Sequence, residues 1–252
     1  EDRTQEKERG EGEPILKLQA STPRRWKRED SGSVSGGADS QSDPRAERKA
    51  LENAIASAER HAEVATAEFP VSVQEFYERF FADYAPYGLP EFHMSRGDWE
   101  ASRRQQVDAG EWQNADDGSK REGESERFAS GESSGGTGLT RAVRFKTPLH
   151  ITFMSSPGQV RTLKRQRARF FGSQACIVDT ITTVEDRIPL SDNFHVEDRW
   201  IIRRAGTDGQ ECTATVSWRC VWHKFTVMKG LIEGKCRSDV QSFNIAFLEV
   251  RS

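Results

Sequence analysis

Between Leu139 and Phe225 the chain carries one strand signal after another, and after Phe225 the period of its apolar residues changes once, from two to 3.6. Leu139 to Phe145 alternates and leads into Thr147-Pro148. Gln159 to Phe171, Ala175 to Glu185, Asn193 to Arg203 and Cys212 to Phe225 carry the β-branched and aromatic residues of strands. Ser155-Ser156-Pro157-Gly158 and Gly206-Thr207-Asp208-Gly209 between them are turn chemistry. Met228, Leu231, Ile232, Cys236, Val240, Phe243 and Phe247 then fall on one side of a helix of about six turns. Gly230 and Gly234 each cost that helix up to about 1 kcal/mol against Ala, so its first turns need tertiary contacts. The pattern predicts an α+β fold: a curved antiparallel sheet closed by a long C-terminal helix.

The globular pattern starts at Phe69-Pro70. Ser72 and Glu75 have the spacing of a capping box, and Val73, Phe76, Tyr77, Phe80 and Tyr84, widened by Phe81, form an amphipathic helix face. Arg104 to Trp112 reads as a first strand, and the Gly-, Ser- and Glu-rich residues 114–138 as a disordered insertion. Upstream, residues 1–50 read as a disordered arm or linker. Across 44–67 an Ala-rich stretch sets Leu51, Ile55, Ala58, Ala62 and Ala65 on one helical face. Residues 69–252 are then the one folded domain. Only 35% of residues are apolar and 31% are charged, which is why so much of the chain is assigned outside a core.

Several function classes lose support at this level. A net charge of −3 argues against a chain that coats nucleic acid. Cys176, Cys212, Cys220 and Cys236 form no CxxC pair and share no metal-ligand spacing with the histidines, so they read as reduced thiols of an intracellular protein, with no metal and no cofactor expected. No stretch approaches the roughly 18 apolar residues of a membrane span, and no leader is visible, so the expectation is a soluble fragment of a longer protein. No nucleophile elbow, phosphate loop or metalloprotease motif occurs, and His150 and His195 read as lone imidazoles. The chain is expected not to be an enzyme. A sheet wrapped around one helix can instead leave an apolar groove for a small hydrophobic ligand, or the helix can simply plug the core.

The residues from about 69 to 250 resemble the VASt family of START-like domains. Phe69-Pro70, Phe76-Tyr77, Phe80-Phe81-Ala82-Asp83 and Gly97-Asp98 resemble its opening segment, and Trp112 the tryptophan of its first strand. Arg141-Ala-Val-Arg144-Phe-Lys-Thr-Pro148-Leu149 is similar to its Arg-x-x-x-(Phe/Tyr)-x-x-Pro-Leu strand, and Gln166 to its glutamine, whereas Ser156-Pro157-Gly158 departs from its Gly-Pro-Lys. The most specific match runs through Pro189, Asp192, Phe194, Arg199 and Trp200, and Lys224 to Glu233 resembles the lead into the closing helix. The resemblance implies a START-like helix-grip fold holding one sterol or related lipid behind a gating loop. It also implies a GRAM domain and a membrane anchor in the parent protein, which would work at contact sites of the endoplasmic reticulum. The function expected is sterol transfer between membranes, with a lipid-sensing or protein-interaction module as the alternative.

Leu149, Ile151, Phe153 and Met154 are the lid candidates; two readings stand, a ligand cover that dips into a bilayer or a simple extension of the strands into the core. Trp218 and Trp222, four apart, share one strand face, and with Ile232 are the candidate lipid-binding residues. Arg161, Lys164, Arg165 and Arg167, in a stretch from 141 to 170 without Asp or Glu, are candidates for docking on an anionic membrane surface. The competing reading pairs this basic face with Glu185, Asp186 and Glu197. Pro189, Asp192, Phe194 and Trp200 are expected to be architectural, Asp192 by closing a turn on its own backbone.

Overall fold

A computed structural model describes residues 43–57, 61–89, 92, 107–115, 138–148, 158–186 and 188–249. The chain divides into residues 1–40 and 41–252, and everything described belongs to the second unit. The expected disorder of residues 1–50 and of the insertion 114–138 lies outside the described residues except at its inner ends: 43–50 belong to the first helix and its cap, and Asn114 and Gly138 lie in strands.

Helix α1, Pro44–Ala56, begins inside the stretch assigned to the arm. Asp43 caps it by accepting from the Arg45 amide at 2.9 Å, Pro44 supplies a pre-set first position, and Glu47 complements the first turn. The predicted helix to residue 67 is corrected, because α1 stops at Ala56 and Ala62–Phe69 is strand β1. Alanine propensity loses there to tertiary pairing: Val64 and Thr66 suit a strand, and the edge of the last strand offers a ladder from Ala62 opposite Trp218 to Phe69 opposite Cys212, broken once by a bulge at Val64. Ala65 and Ala67 also keep the surface low where the C-terminal helix packs against β1.

Helix α2, Val73–Phe80, is capped as the spacing predicts, with the Ser72 hydroxyl accepting from the Glu75 amide at 3.2 Å. It ends four residues short of Tyr84, which is 91% exposed rather than part of the apolar face, because the amides of Phe81 and Ala82 both turn back to the Tyr77 carbonyl. Of the predicted strand 104–112, the described part holds only the short edge strand β2 (Asp108–Ala109) on β4; a second edge piece, β3 (Gln113–Asn114), also on β4, begins just past its predicted end. Trp112 lies between them, drawn off the sheet by its indole Nε1, which donates to the Phe81 carbonyl at 2.7 Å, and by its amide, which donates to Asp83 at 2.9 Å.

The rest of the sheet follows the sequence reading closely: β4 (Gly138–Pro148), β5 (Gln159–Phe171), β6 (Ala175–Val184), β7 (Phe194–Ala205) and β8 (Glu211–Trp222), every pairing antiparallel. The order is β1-β8-β7-β6-β5-β4-β2, and the final helix α3, Lys229–Glu249, crosses one face. On that inner face Phe69, Phe76, Phe80, Phe81, Phe92 and Phe247 pack over Cys176, Val178, Ile202, Ala214 and Val216. On the outer face Ala50 and Ala54 of α1 settle on Phe171, Ala175, Ile177 and Ile201. The predicted stripe on α3 needs one correction: Leu231 is 58% exposed, one position off the line through Ile232, Cys236, Val240, Phe243 and Phe247.

Candidate functional site

Strand register decides where the interior is open. Pro148 opposite Gln159, Thr162 opposite Val184 and Phe194 opposite Trp222 mark one end of the sheet; Phe171 opposite Ala175 and Ala205 opposite Glu211 mark the other. At the second end the inner-face residues Cys212, Ala214, Cys176, Val178 and Ile202 are completely covered by α2 and the end of α3. Toward the first end the same face carries Thr182, Val196, Cys220 and Trp222, all only half-buried although α3 lies above them. Ile232, Cys236 and Val240 on the first half of α3 are half-buried too. A helix in van der Waals contact with a sheet would bury both sets. Strand and helix are therefore packed less closely here than at the filled end, which leaves room for a groove between them. Cys220 and Cys236 face each other across it: burial first, then the Cys236 thiol and Glu233 on α3, push the Cys220 thiol up to about 12.

Where groove meets core, a line of polar residues crosses four strands. Arg141, Gln166, Thr180 and Asp198 are direct cross-strand partners in sequence, β4 to β7, and the next partner on β8 is Trp218. All are buried. Arg141 Nε donates to Gln166 Oε1 at 2.8 Å, and Gln166 Nε2 donates to Thr180 Oγ1 at 3.3 Å. Burial pushes the Asp198 carboxyl up, opposed by the charge of Lys164 and by a hydrogen bond with Thr180. Burial likewise holds Arg141 down at about 10; its guanidinium lies 4.4 Å over the Trp112 ring. Arg141 Nη2 and the Tyr77 hydroxyl, both buried, have no hydrogen-bond partner. Buried groups in that state are where a ligand's own polar atom is most useful.

The candidate residues from the sequence divide among three places. Trp218 and Trp222 do face the interior with Cys220; Trp218 is buried, while Trp222 lies against Phe194 at a ring separation of 4.9 Å and beneath Lys229, with its buried Nε1 lacking a partner. Ile232 is on the helical wall. Leu149, Ile151, Phe153 and Met154 lie outside the described residues. The basic set does not form one face: Arg161, Arg165 and Arg167 alternate to the outside, whereas Lys164 points inward, its Nζ 4.8 Å over the Phe243 ring. Arg161 pairs with Asp186 at 2.8 Å and Arg144 with Glu185 at 3.4 Å, as the competing reading required. Glu197 serves other partners.

In the signature loop, Pro189 and Leu190 form a tight turn closed by the Ser191 amide donating to the Ile188 carbonyl at 3.1 Å, with Leu190 at φ 70°. Asp192 binds Lys224 on the loop that follows β8, so it ties two loops together. Trp200 is buried between Phe81 and Phe247 at 5.5 and 5.6 Å.

His195 is not a lone imidazole. On the outer face its Nδ1 is 2.7 Å from His223 Nε2 and its Nε2 2.9 Å from Glu197, which also accepts from Arg219 Nε at 2.6 Å and lies 3.7 Å from His61. This cluster is on the opposite face from the groove. Burial, then Arg219 and Arg199, lower His61 to about 4 from 6.5. Burial pushes Glu197 up, but hydrogen bonds from His195 and Arg219 outweigh it and hold the carboxylate at about 2. Both groups are more acidic folded than unfolded, so in each case the unfolded chain binds the proton first as pH falls. Stability is expected to decline from pH 6.5 toward 4 through His61 and from about 4.5 toward 2 through Glu197. Thermal unfolding across this range checks it: His61→Gln should flatten the upper part, and an already flat wild-type profile between 6.5 and 4.5 would remove His61 from the explanation.

Residues 63–239 match the family model described as VAD1 Analog of StAR-related lipid transfer domain, abbreviated VASt. The match opens within β1, the segment the periodicity had placed in a helix. The chain is also 28% identical over 170 residues to Protein VASCULAR ASSOCIATED DEATH 1, chloroplastic, of Arabidopsis thaliana, covering 67% of this chain and 24% of that protein, about a quarter of the relative's length.

Proposed function

The chain belongs to the VASt family of StAR-related lipid-transfer-like, lipid-binding domains, and from that premise we propose that it carries a sterol between membranes. The observation that carries the reading is the line Arg141, Gln166, Thr180 and Asp198 at the base of a half-open, largely apolar groove. A sterol is a rigid apolar body with one small polar group, and such a line offers donors and acceptors to one group at one depth. A glycerophospholipid with a large charged head matches it less well. Burying roughly 500 Å² of apolar ligand surface at about 25 cal/mol per Å² is worth about 12 kcal/mol against water. A bilayer hides the same surface, so exchange is near balance and transfer needs a gate rather than extreme tightness. The lid is assigned to Leu149, Ile151, Phe153 and Met154.

The carrier performs no chemical step in this reading: the histidine and carboxylate cluster is on the face away from the groove, and among the described residues none are grouped as metal ligands. No described helix is long and apolar enough to cross a membrane. For the parent protein, the resemblance supports a GRAM domain, a membrane anchor and contact sites of the endoplasmic reticulum; the chloroplast in the relative's name is a rival address, which imaging of the tagged full-length protein decides. The test of the function is transfer of a fluorescent sterol between vesicles by the purified chain. Transfer that rises with anionic lipid in the acceptor and slows in Phe153→Asp with Met154→Asp is the expected result. Neither transfer nor sterol uptake would leave the lipid-sensing or interaction module.

A further inference from the structure

At the groove end of the sheet, the connection from β8 to α3 presents Phe225 at 91% exposure and Val227 at 87%, followed by Leu231 at 58% on the first turn of α3. The side chains are held outward by a well-bonded turn. The His223 and Lys224 amides donate to the Asn193 carbonyl at 2.7 and 3.3 Å, Lys224 is tied to Asp192, and the Thr226 hydroxyl accepts from the Met228 amide at 3.2 Å. Gly230 adds bare backbone with nothing within 4 Å of where a Cβ would stand. Three large apolar side chains fixed in water at one tip form a patch that a soluble surface rarely keeps without a partner.

We propose that Phe225, Val227 and Leu231 are a membrane-insertion tip that seats the mouth of the groove on a bilayer. The position argues for a membrane: Trp222 opposite Phe194, Val184 opposite Thr162 and Pro148 opposite Gln159 all end at this edge, so the tip stands where the groove opens. The composition argues likewise, with Phe225 and Val227 between Lys224 and Lys229 and Leu231 two residues beyond, apolar ends with cationic neighbours as interfacial segments have. Charge has a secondary part, since Arg144, Arg161 and Lys224 at this end are each met by an acid, Glu185, Asp186 and Asp192. Insertion of the apolar tip supplies the binding, and anionic lipid strengthens it through Lys146 and Lys229.

The proposal does not rest on sterol carriage, because docking is read without any transfer. The experiment is co-sedimentation of the full chain with phosphatidylcholine vesicles, with and without phosphatidylserine. The chain should bind both, more tightly with phosphatidylserine, and Phe225→Asp with Val227→Asp should weaken binding by about tenfold or more. Tyr84→Asp, at an equally exposed aromatic next to Asp83, which accepts from the Trp112 amide, should not. A Phe225→Trp chain should gain fluorescence that brominated phosphatidylcholine quenches. Unchanged binding by the double variant, equal loss in Tyr84→Asp, or an unquenched Trp would each overturn the proposal. So would a wild-type dimer in solution that the double variant lacks, which would give the tip to a second copy. A chain that docks through the tip but moves no sterol defeats the carrier reading alone.

Discussion

Cys220→Trp is expected to give a folded chain that has lost sterol uptake by at least about tenfold, since one indole takes the room of a large part of the ligand. Cys220 is on the inner face between Trp218 and Trp222, half-buried, with α3 standing off above it. A larger side chain there enters the groove, whereas overfilling a close-packed site would force strand and helix apart at about 1–3 kcal/mol or more. Cys212, eight residues earlier on the same strand face, supplies the contrast: it is fully buried under α2, and Cys212→Trp should lower stability sharply. Uptake is read by quenching of a fluorescent sterol and folding by circular dichroism and thermal unfolding. If Cys220→Trp folds and takes up sterol as the wild type does, the ligand does not occupy the space between β8 and the first half of α3.

The same strand illustrates what a single sequence could disclose. Its start to within a residue, its alternation and the shared face of Trp218 and Trp222 were legible from period two, as was β5 to the residue; its end was not, because the chain turns off at Trp222, three residues before Phe225, where the His223 and Lys224 amides bond to Asn193. Residues 62–67 were not, because Ala62 and Ala65 continue the helical face of Leu51, Ile55 and Ala58, and the ladder that makes them a strand is supplied by distant residues, as Thr66 bonded to Thr215 shows. Trp112 leaves the sheet for the same kind of reason, a partner at Phe81 that local pattern does not encode. The polar line is the deepest instance. Thr162 and Lys164 share the inner parity of Gln166, and Thr182 that of Thr180, so single-strand alternation does not single out the line; that Arg141, Gln166, Thr180 and Asp198 fall in one row follows only from the register of three hairpins. Exposure of Leu231 depends on how far α3 stands off, which periodicity does not carry.

Asp179→Ala is expected to cost about 3–5 kcal/mol, a large fraction of the roughly 5–15 kcal/mol of a typical domain. Asp179 accepts from Arg169 Nη2 at 2.9 Å and from Arg199 Nε, whose side chains are 2% and 11% exposed. Removing the carboxylate takes from the buried Arg169 and Arg199 guanidiniums the anion they share, so the loss comes from lost charge compensation more than from the missing contacts. Asp179→Asn, which keeps the shape and an acceptor but not the charge, should fall between the two. The change also reaches α1, because Arg199 Nη1 donates to the Ala54 carbonyl at 2.8 Å and to the Ser57 hydroxyl at 2.6 Å, fastening the end of that helix to the outer face. Urea unfolding gives the stability and amide exchange gives the helix: residues 50–56 should lose protection ahead of the sheet. A loss below about 1 kcal/mol would mean that water reaches the pair and screens it as on a surface. Since α1 and the groove lie on opposite faces, sterol uptake per folded molecule should stay at the wild-type level in Asp179→Ala, and this separates the outer-face scaffold from the inner-face ligand site.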